Sequence, residues 1–305
     1  MVLATTTSDF GCIKDHKERV RCLHRAGFHY VDLSMYTIFE GDPLFGDGWR
    51  VYACELGELA RDLGVKFVQA HSPNTNNLAG EEGFADALEK TNRAIEICGM
   101  LGIPNLVVHA GWDRAIAERD LWFEKNRTFY QALFPTMERC GVNVLCENST
   151  KANMPTWYYL NTGVDMRAFI DYVDHPRFGG CWDTGHANIE GAQYQEILAI
   201  GDKLYGIHFN DNRGKQDEHI IPFMGTMNVD EVMSALKAIG YRGAFTFECD
   251  SPLRPQQYWL GNRRAFEGTL SEPPLHLKMQ MEKFMFEVGK CILTTHGCWQ
   301  ERSFL

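Results

Sequence analysis

FGGCWDTGH (178–186) and LYGIHFND (204–211) each run through apolar residues and stop on side chains able to hold a metal: Asp183 and His186 in the first, His208 in the second. The same pattern recurs in NLVVHA (105–110) with His109, NVLCEN (143–148) with Glu147 and AFTFEC (244–249) with Glu248. It recurs again in VKFVQA (65–70), which is followed by His71. Near-continuous apolar runs of this length read as strands covered on both faces, as in a parallel sheet. A parallel barrel gathers the C-terminal ends of successive strands around one mouth. Six segments that place oxygen and nitrogen donors at that end point to a single metal-dependent site.

Two further apolar runs, LATTT (3–7) and YVDLS (30–34), bring the predicted strands to eight. Amphipathic segments separate them. Phe84, Leu88, Ile95 and Cys98 form one stripe in 83–101, and Val229, Val232, Leu236 and Ile239 form another in 228–240. The second of these opens on Asn228, a good N-cap, has Glu231 three residues on, and closes at Gly240. Segments 14–26, 50–63, 116–140, 164–174 and 275–293 also read as helices. The turns DLGVKF, MLGIPNL, RCGVNVL and AIGYRGAF share one grammar, in which a helix ends at glycine and a strand begins. Eight strands alternating with helices predict a (β/α)8 TIM barrel, an α/β fold formed by residues 1–305 as one domain. An open doubly wound sheet fits less well, because no glycine-rich phosphate fingerprint follows the first strand. Long loops are expected at 148–163 and 250–274, on the C-terminal face where barrel active sites are built.

Composition narrows the function. The 305 residues carry a net charge of −10, which disfavours nucleic acid and anionic membrane as partners. The ten cysteines include no CxxC pair and several lie in apolar runs, so free thiols in a reducing cytoplasm are expected. The start, MVLATTTSDFG, lacks the basic and apolar regions of a signal peptide. No apolar stretch approaches the roughly 18 residues of a membrane helix.

Glu147, Asp183, His208 and Glu248 terminate the fifth to eighth strands, so adjacent strand ends can bring them to one ion. Three carboxylates and an imidazole are a hard, mixed donor set, suited to Mn²⁺, Mg²⁺ or Co²⁺ better than to a structural thiolate zinc.

GGCWDTGHAN, IHFNDNRGKQDEH and FTFECD resemble the xylose isomerase-like TIM barrel superfamily, over about residues 5–250. That superfamily includes sugar and sugar-phosphate isomerases and epimerases, and endonuclease IV-type repair enzymes. In its epimerase branch, the residues matching Glu147, Asp183, His208 and Glu248 hold one divalent ion, usually Mn²⁺, with Mg²⁺, Co²⁺ or Zn²⁺ as alternatives. The two glutamates are also the catalytic acid and base. The resemblance implies an isomerase or epimerase acting on a carbohydrate-like ketone through an enediolate. His186 and Arg213 would contact substrate, and His71, His109, Asn148, His219 and Trp112 complete the expected substrate-facing set. Self-association is implied too, since relatives are often dimers or tetramers.

Two other reactions stay open. A lyase or dehydratase would keep the metal and add a third acid or base, such as His109 or His219. A trinuclear-zinc endonuclease would use nine ligands, matched here by His71, His109, Glu147, Asp183, His186, His208, Asp217, His219 and Glu248. The acidic charge and the lack of a basic, aromatic-interleaved loop speak against DNA as substrate. Aromatic runs in the loops, at 157–159 (WYY) and 258–259 (YW), suit sugar rings or lid packing. Arg254, Arg263 and Arg264 are candidates for an anionic substrate group. Phe223 and Met224 stand where relatives carry small residues in a Pro-Gly-x-Gly turn, which points to a non-phosphorylated substrate.

Overall fold

The computed structural model describes residues 1–154, 158–249, 253 and 273–300. Eight parallel strands close into a barrel in chain order. They are β1 (Val2–Thr6), β2 (Tyr30–Ser34), β3 (Lys66–His71), β4 (Asn105–Val107), β5 (Asn143–Glu147), β6 (Phe178–Asp183), β7 (Leu204–Phe209) and β8 (Ala244–Phe247). Around them lie α1 (His16–Ala26), α2 (Trp49–Asp62), α3 (Gly80–Leu101), α4 (Arg119–Cys140) and α5 (Gly163–Val173). The ring continues with α6 (Thr184–Glu190), α7 (Tyr194–Ile200), α8 (Val229–Ala238) and α9 (Leu275–Thr295). The chain is thus a TIM barrel.

Strand alternation sorts side chains between two interiors. In β7, Ile207 and Phe209 enter the core shared with the helices. Gly206 and His208 consequently face the barrel axis. The outer core is aromatic where α4, α5 and β6 meet: Tyr130 lies 4.6 Å from Phe178, and Trp122 lies 5.6 Å from Phe169. Each such side chain, fully buried, stabilises by about 1.5–3 kcal/mol. The barrel interior holds only a small apolar plug of Val107, Leu145 and Cys181, with Tyr205 packed against it. Above the plug the interior is polar, with Asp32, Gln69, His71, Glu147, Asp183, His208 and Thr246 all buried.

Helix ends follow the expected chemistry. Asp15, Thr162 and Asn228 cap α1, α5 and α8 by accepting from Lys17, Asp165 and Glu231 backbone N–H groups. Gly102 and Gly141 stop α3 and α4 in the left-handed conformation at φ 68° and 71°, which turns the chain into the next strand.

The region between β6 and β7 differs from the sequence expectation, which placed no helix there. α6 begins inside the DTGH motif and is capped by Asp183 itself. At seven residues each, α6 and α7 are too short to display a helical period. β4 stops at Val107 and β8 at Phe247, so His109 and Glu248 lie just past their strands rather than within them. Of the loop 250–274, only 253, 273 and 274 are described, so Arg254, Tyr258, Trp259, Arg263 and Arg264 lie outside the described residues, as does Trp157. All ten cysteines are free thiols. Among the described residues no helix is long and apolar enough to cross a membrane.

Candidate metal centre

Glu147, Asp183, His208 and Glu248 converge at the C-terminal mouth, with one donor atom from each lying within 4.8 Å of the others. Register explains the convergence: Asp183 pairs with His208 across β6 and β7, and Glu147 pairs with Cys181 across β5 and β6. His208 Nδ1 lies 2.7 Å from Glu147 Oε1 and 3.4 Å from Glu248 Oε2. Burial opposes ionisation of Glu147, but His208, His109 and His71 outweigh it and hold this carboxyl well below the usual range. Glu248 goes the other way. Burial, aided by the charges of Glu147 and Asp183, raises its carboxyl to about 7 against the pull of His208 and His219. Among the described residues no lysine or arginine pairs with these three acids; their ionic partners are histidines. A buried cluster of three carboxylates and one imidazole, with no fixed cation beside it, fits a divalent metal.

The cluster is braced. Asp183 Oδ1 accepts from the His186 backbone N–H at 2.6 Å, and Oδ2 accepts from Asn210 Nδ2 at 2.7 Å. A Cβ on Gly185 would overlap Asn210 Oδ1, so the glycine of the DTGH motif makes room for the residue that holds the aspartate. Asn148 was expected to face substrate. Instead both ends of its amide hold the Asp183 backbone, with Nδ2 donating to the carbonyl at 2.9 Å and Oδ1 accepting from N–H at 2.6 Å.

Two further clusters flank the first. His71 and His109 place their Nε2 atoms 3.2 Å apart, and both approach Glu147 Oε2, at 3.6 Å and 2.7 Å. Burial lowers the His109 pKa; it opposes protonation of His71 as well, but there the hydrogen bond and charge of Glu147 prevail and the pKa is raised. On the other side, Asp217 Oδ2 sits 3.1 Å from His186 Nε2 and 3.0 Å from His219 Nε2. Burial works against His186⁺ too, yet Asp183 and Asp217 raise its pKa to about 10. All nine side chains of the trinuclear alternative therefore gather at this mouth.

Other candidates are placed less centrally. Trp112 is 37% exposed on the rim, its backbone tied to Asn76. Arg213 is exposed and pairs with Glu218, apart from the cluster. Tyr158 and Tyr159 do not offer free faces to a sugar. They pack on Trp122 at 5.4 Å and 5.7 Å, and the Tyr158 hydroxyl donates to the Glu147 carbonyl. Trp182 is core, its indole N–H given to Gln193. Phe223 and Met224 are exposed in the loop after β7, with Phe223 at φ 76°. Sequence reading missed Tyr36, whose ring stands edge-on to His71 at 5.1 Å and to His109 at 5.9 Å. It also missed Asp32, which faces His208 from across the barrel at 3.6 Å. The signal for Asp32 was present, because an acid inside the apolar run YVDLS must find a partner.

Comparison with known proteins agrees with this architecture. Residues 20–267 match the model of the xylose isomerase-like TIM barrel family. The chain is 30% identical over 254 residues to the Sinorhizobium fredii protein y4fM, covering 72% of this chain and 80% of that one. It is 40% identical over 114 residues to an L-ribulose 3-epimerase from a Methylomonas species, covering 35% of each. The crystal structure of the IolI protein with a bound zinc superposes with a TM-score of 0.76 at 15% identity, covering 97% of this chain and 99% of that one. By the family match and its span, the chain belongs to the xylose isomerase-like TIM barrel family.

Proposed function

We propose that the protein is a divalent-metal-dependent isomerase or epimerase of a non-phosphorylated sugar or sugar-like ketone, working through an enediolate. The observation that carries this reading is the convergence of Glu147, Asp183, His208 and Glu248 at the barrel mouth, one donor atom from each within 4.8 Å of the others. Glu147 and Glu248 sit in unlike surroundings, the first favouring the ionised form and the second the protonated one, which suits opposite roles in proton transfer. The L-ribulose 3-epimerase relative and the zinc-bound IolI structure support it.

A divalent cation held by Glu147, Asp183, His208 and Glu248, Mn²⁺ by donor type, would supply positive charge beside a ketone oxygen and its neighbouring hydroxyl, acidifying the C–H between them. One glutamate takes that proton from one face of the substrate, and the other returns a proton from the opposite face. His186 holds a substrate hydroxyl, and His71, His109 and His219 line the wall. Tyr36 and Trp112 give the mouth an apolar rim against which C–H faces of a sugar can lie. The absence of small residues at Phe223 and Met224 speaks against a phosphate cradle there. The ten free thiols support a reducing, cytoplasmic setting. A homo-oligomer is proposed on family likeness alone.

The test is a solvent-deuterium exchange screen with Mn²⁺ across ketoses and inososes. Exchange at a carbon next to the carbonyl, lost in Glu147→Gln and in Glu248→Gln, is the expected outcome. Wild-type exchange rates in either variant would overturn the acid and base assignment. The cluster of His186, Asp217 and His219 favours a second reading, a three-zinc phosphodiesterase; three zinc ions per chain in purified protein would favour it over the epimerase.

A further inference from the structure

The floor beneath the metal cluster carries a polar side-chain relay. Val31 and Leu33 of β2 point into the outer core, so Asp32 between them points into the barrel. It is 1% exposed. Asp32 Oδ2 accepts from Gln69 Nε2 at 2.9 Å and lies 3.6 Å from His208 Nε2. Asp32 Oδ1 has no hydrogen-bond partner among the described residues. Gln69 reaches this position because β7 offers no side chain there. A Cβ on Gly206 would come within 2.5 Å of Gln69 Oε1 and 2.7 Å of Leu145 Cδ1. Gly206 lies two residues before His208 on the same strand face, directly beneath it. His71 stacks on the His208 ring at 5.7 Å and 11°, which limits its tilt.

A carboxylate buried this deeply is costly without a charged or hydrogen-bonding partner. Gln69 supplies one bond, and among the described residues the titratable ring directed at the carboxylate is His208. An Nε2–H aimed at Asp32 leaves Nδ1, the nitrogen on the side of Glu147 and Glu248, with a free lone pair. Acids that orient a metal-binding histidine through its second nitrogen fix both its tautomer and its ring angle.

We infer that Asp32, held by Gln69 in the space left by Gly206, is the positioning residue that orients His208 toward the metal. The inference rests on the metal reading above. A barrel interior is ordinarily filled by branched apolar residues, so an acid and an amide in this layer need such a reason.

The test is Mn²⁺ titration of the full chain, followed by the loss of the free-ion electron paramagnetic resonance signal, alongside thermal unfolding in EDTA. Asp32→Asn keeps the shape and the amide contact but removes the charge. The expected result is Mn²⁺ affinity lower by roughly 10–100-fold, with unfolding in EDTA unchanged or shifted upward. A folded Asp32→Asn protein that binds Mn²⁺ as tightly as the wild type overturns the inference and leaves the metal reading intact. A wild type that binds no divalent ion overturns both. If Asp32→Asn does not fold, ¹⁵N-histidine spectra of the wild type with Mg²⁺ decide the matter: His208 as the Nε2–H tautomer supports the inference, and the Nδ1–H tautomer overturns it.

Discussion

Asn148 and Asp183 are joined by a two-bond clamp, with the amide of one giving and taking a hydrogen bond at the backbone of the other, at 2.9 Å and 2.6 Å. The clamp locks the end of β5 to the end of β6, and so fixes Glu147 relative to Asp183. Asn148→Ala leaves the buried Asp183 backbone N–H unpaired and removes one of the bonds to its carbonyl, which should destabilise the protein by about 1–3 kcal/mol in urea unfolding. Metal affinity should fall by roughly tenfold as well, as for other groups that hold a ligand in place. Unchanged affinity in a destabilised variant would assign the clamp to folding alone.

Glu248 makes the site pH-sensitive. Its carboxyl is raised from 4.5 to about 7, so the folded protein favours the protonated form. The stability it contributes is full below 4.5 and is lost as pH rises through about 7. His71, His186 and His208 are also raised, but their contributions are lost only above 6.5. Glu147 is lowered, so its contribution is present above 4.5 and lost below that range. Between about pH 5 and 6.5 Glu248 shares the fall in stability with buried Glu282, which is also raised, while His109, lowered by burial, works the other way. Thermal unfolding in EDTA should show a shallower fall in Glu248→Gln than in the wild type. Because a bound cation must displace the Glu248 proton and, below the raised His208 pKa, one from His208 as well, Mn²⁺ affinity should rise by about tenfold or more per pH unit below about 7. A pH-independent affinity would count against Glu248 as a ligand.

Most of the barrel was legible because its signals are local. Most strands are largely apolar runs, and several helix ends carry their own glycine or cap. The convergence of Glu147, Asp183, His208 and Glu248 was legible for the same reason, since strand ends in a parallel barrel share one mouth. What stayed hidden depends on distant partners. Asn148 sits beside Glu147 in sequence, yet its amide serves a backbone 35 positions away. Tyr158 looks like a free aromatic face until Trp122 is seen beneath it. Asp32 was visible as an acid in an apolar strand, but its partner lies across the barrel on β7. The helices α6 and α7 were hidden because seven residues each are too few to show a helical stripe.

Gly185 gives a sharper test of the bracing around Asp183. A methyl group there must displace the Asn210 amide, which donates to Asp183 Oδ2. Gly185→Ala should cost about 1–3 kcal/mol from overpacking. The loss in Mn²⁺ affinity should match that of Asn210→Ala. If the glycine variant binds metal normally while the asparagine variant does not, the close approach at Gly185 has another purpose.

Asp217 separates one metal from three. Its carboxyl is held ionised: burial opposes the charge, and His219 and His186 outweigh that opposition. A neutral amide in its place breaks the ion pairs to both histidines but leaves Glu147, Asp183, His208 and Glu248 untouched. With a single metal, Asp217→Asn should retain one ion per chain by elemental analysis and lose activity chiefly through a raised KM, because His186 loses its anchor. With three metals the same variant should lose one ion per chain outright, since His186 and His219 alone make a poor site. Elemental analysis of wild type and variant, purified side by side without chelator, distinguishes a drop from three ions to two from a constant count of one.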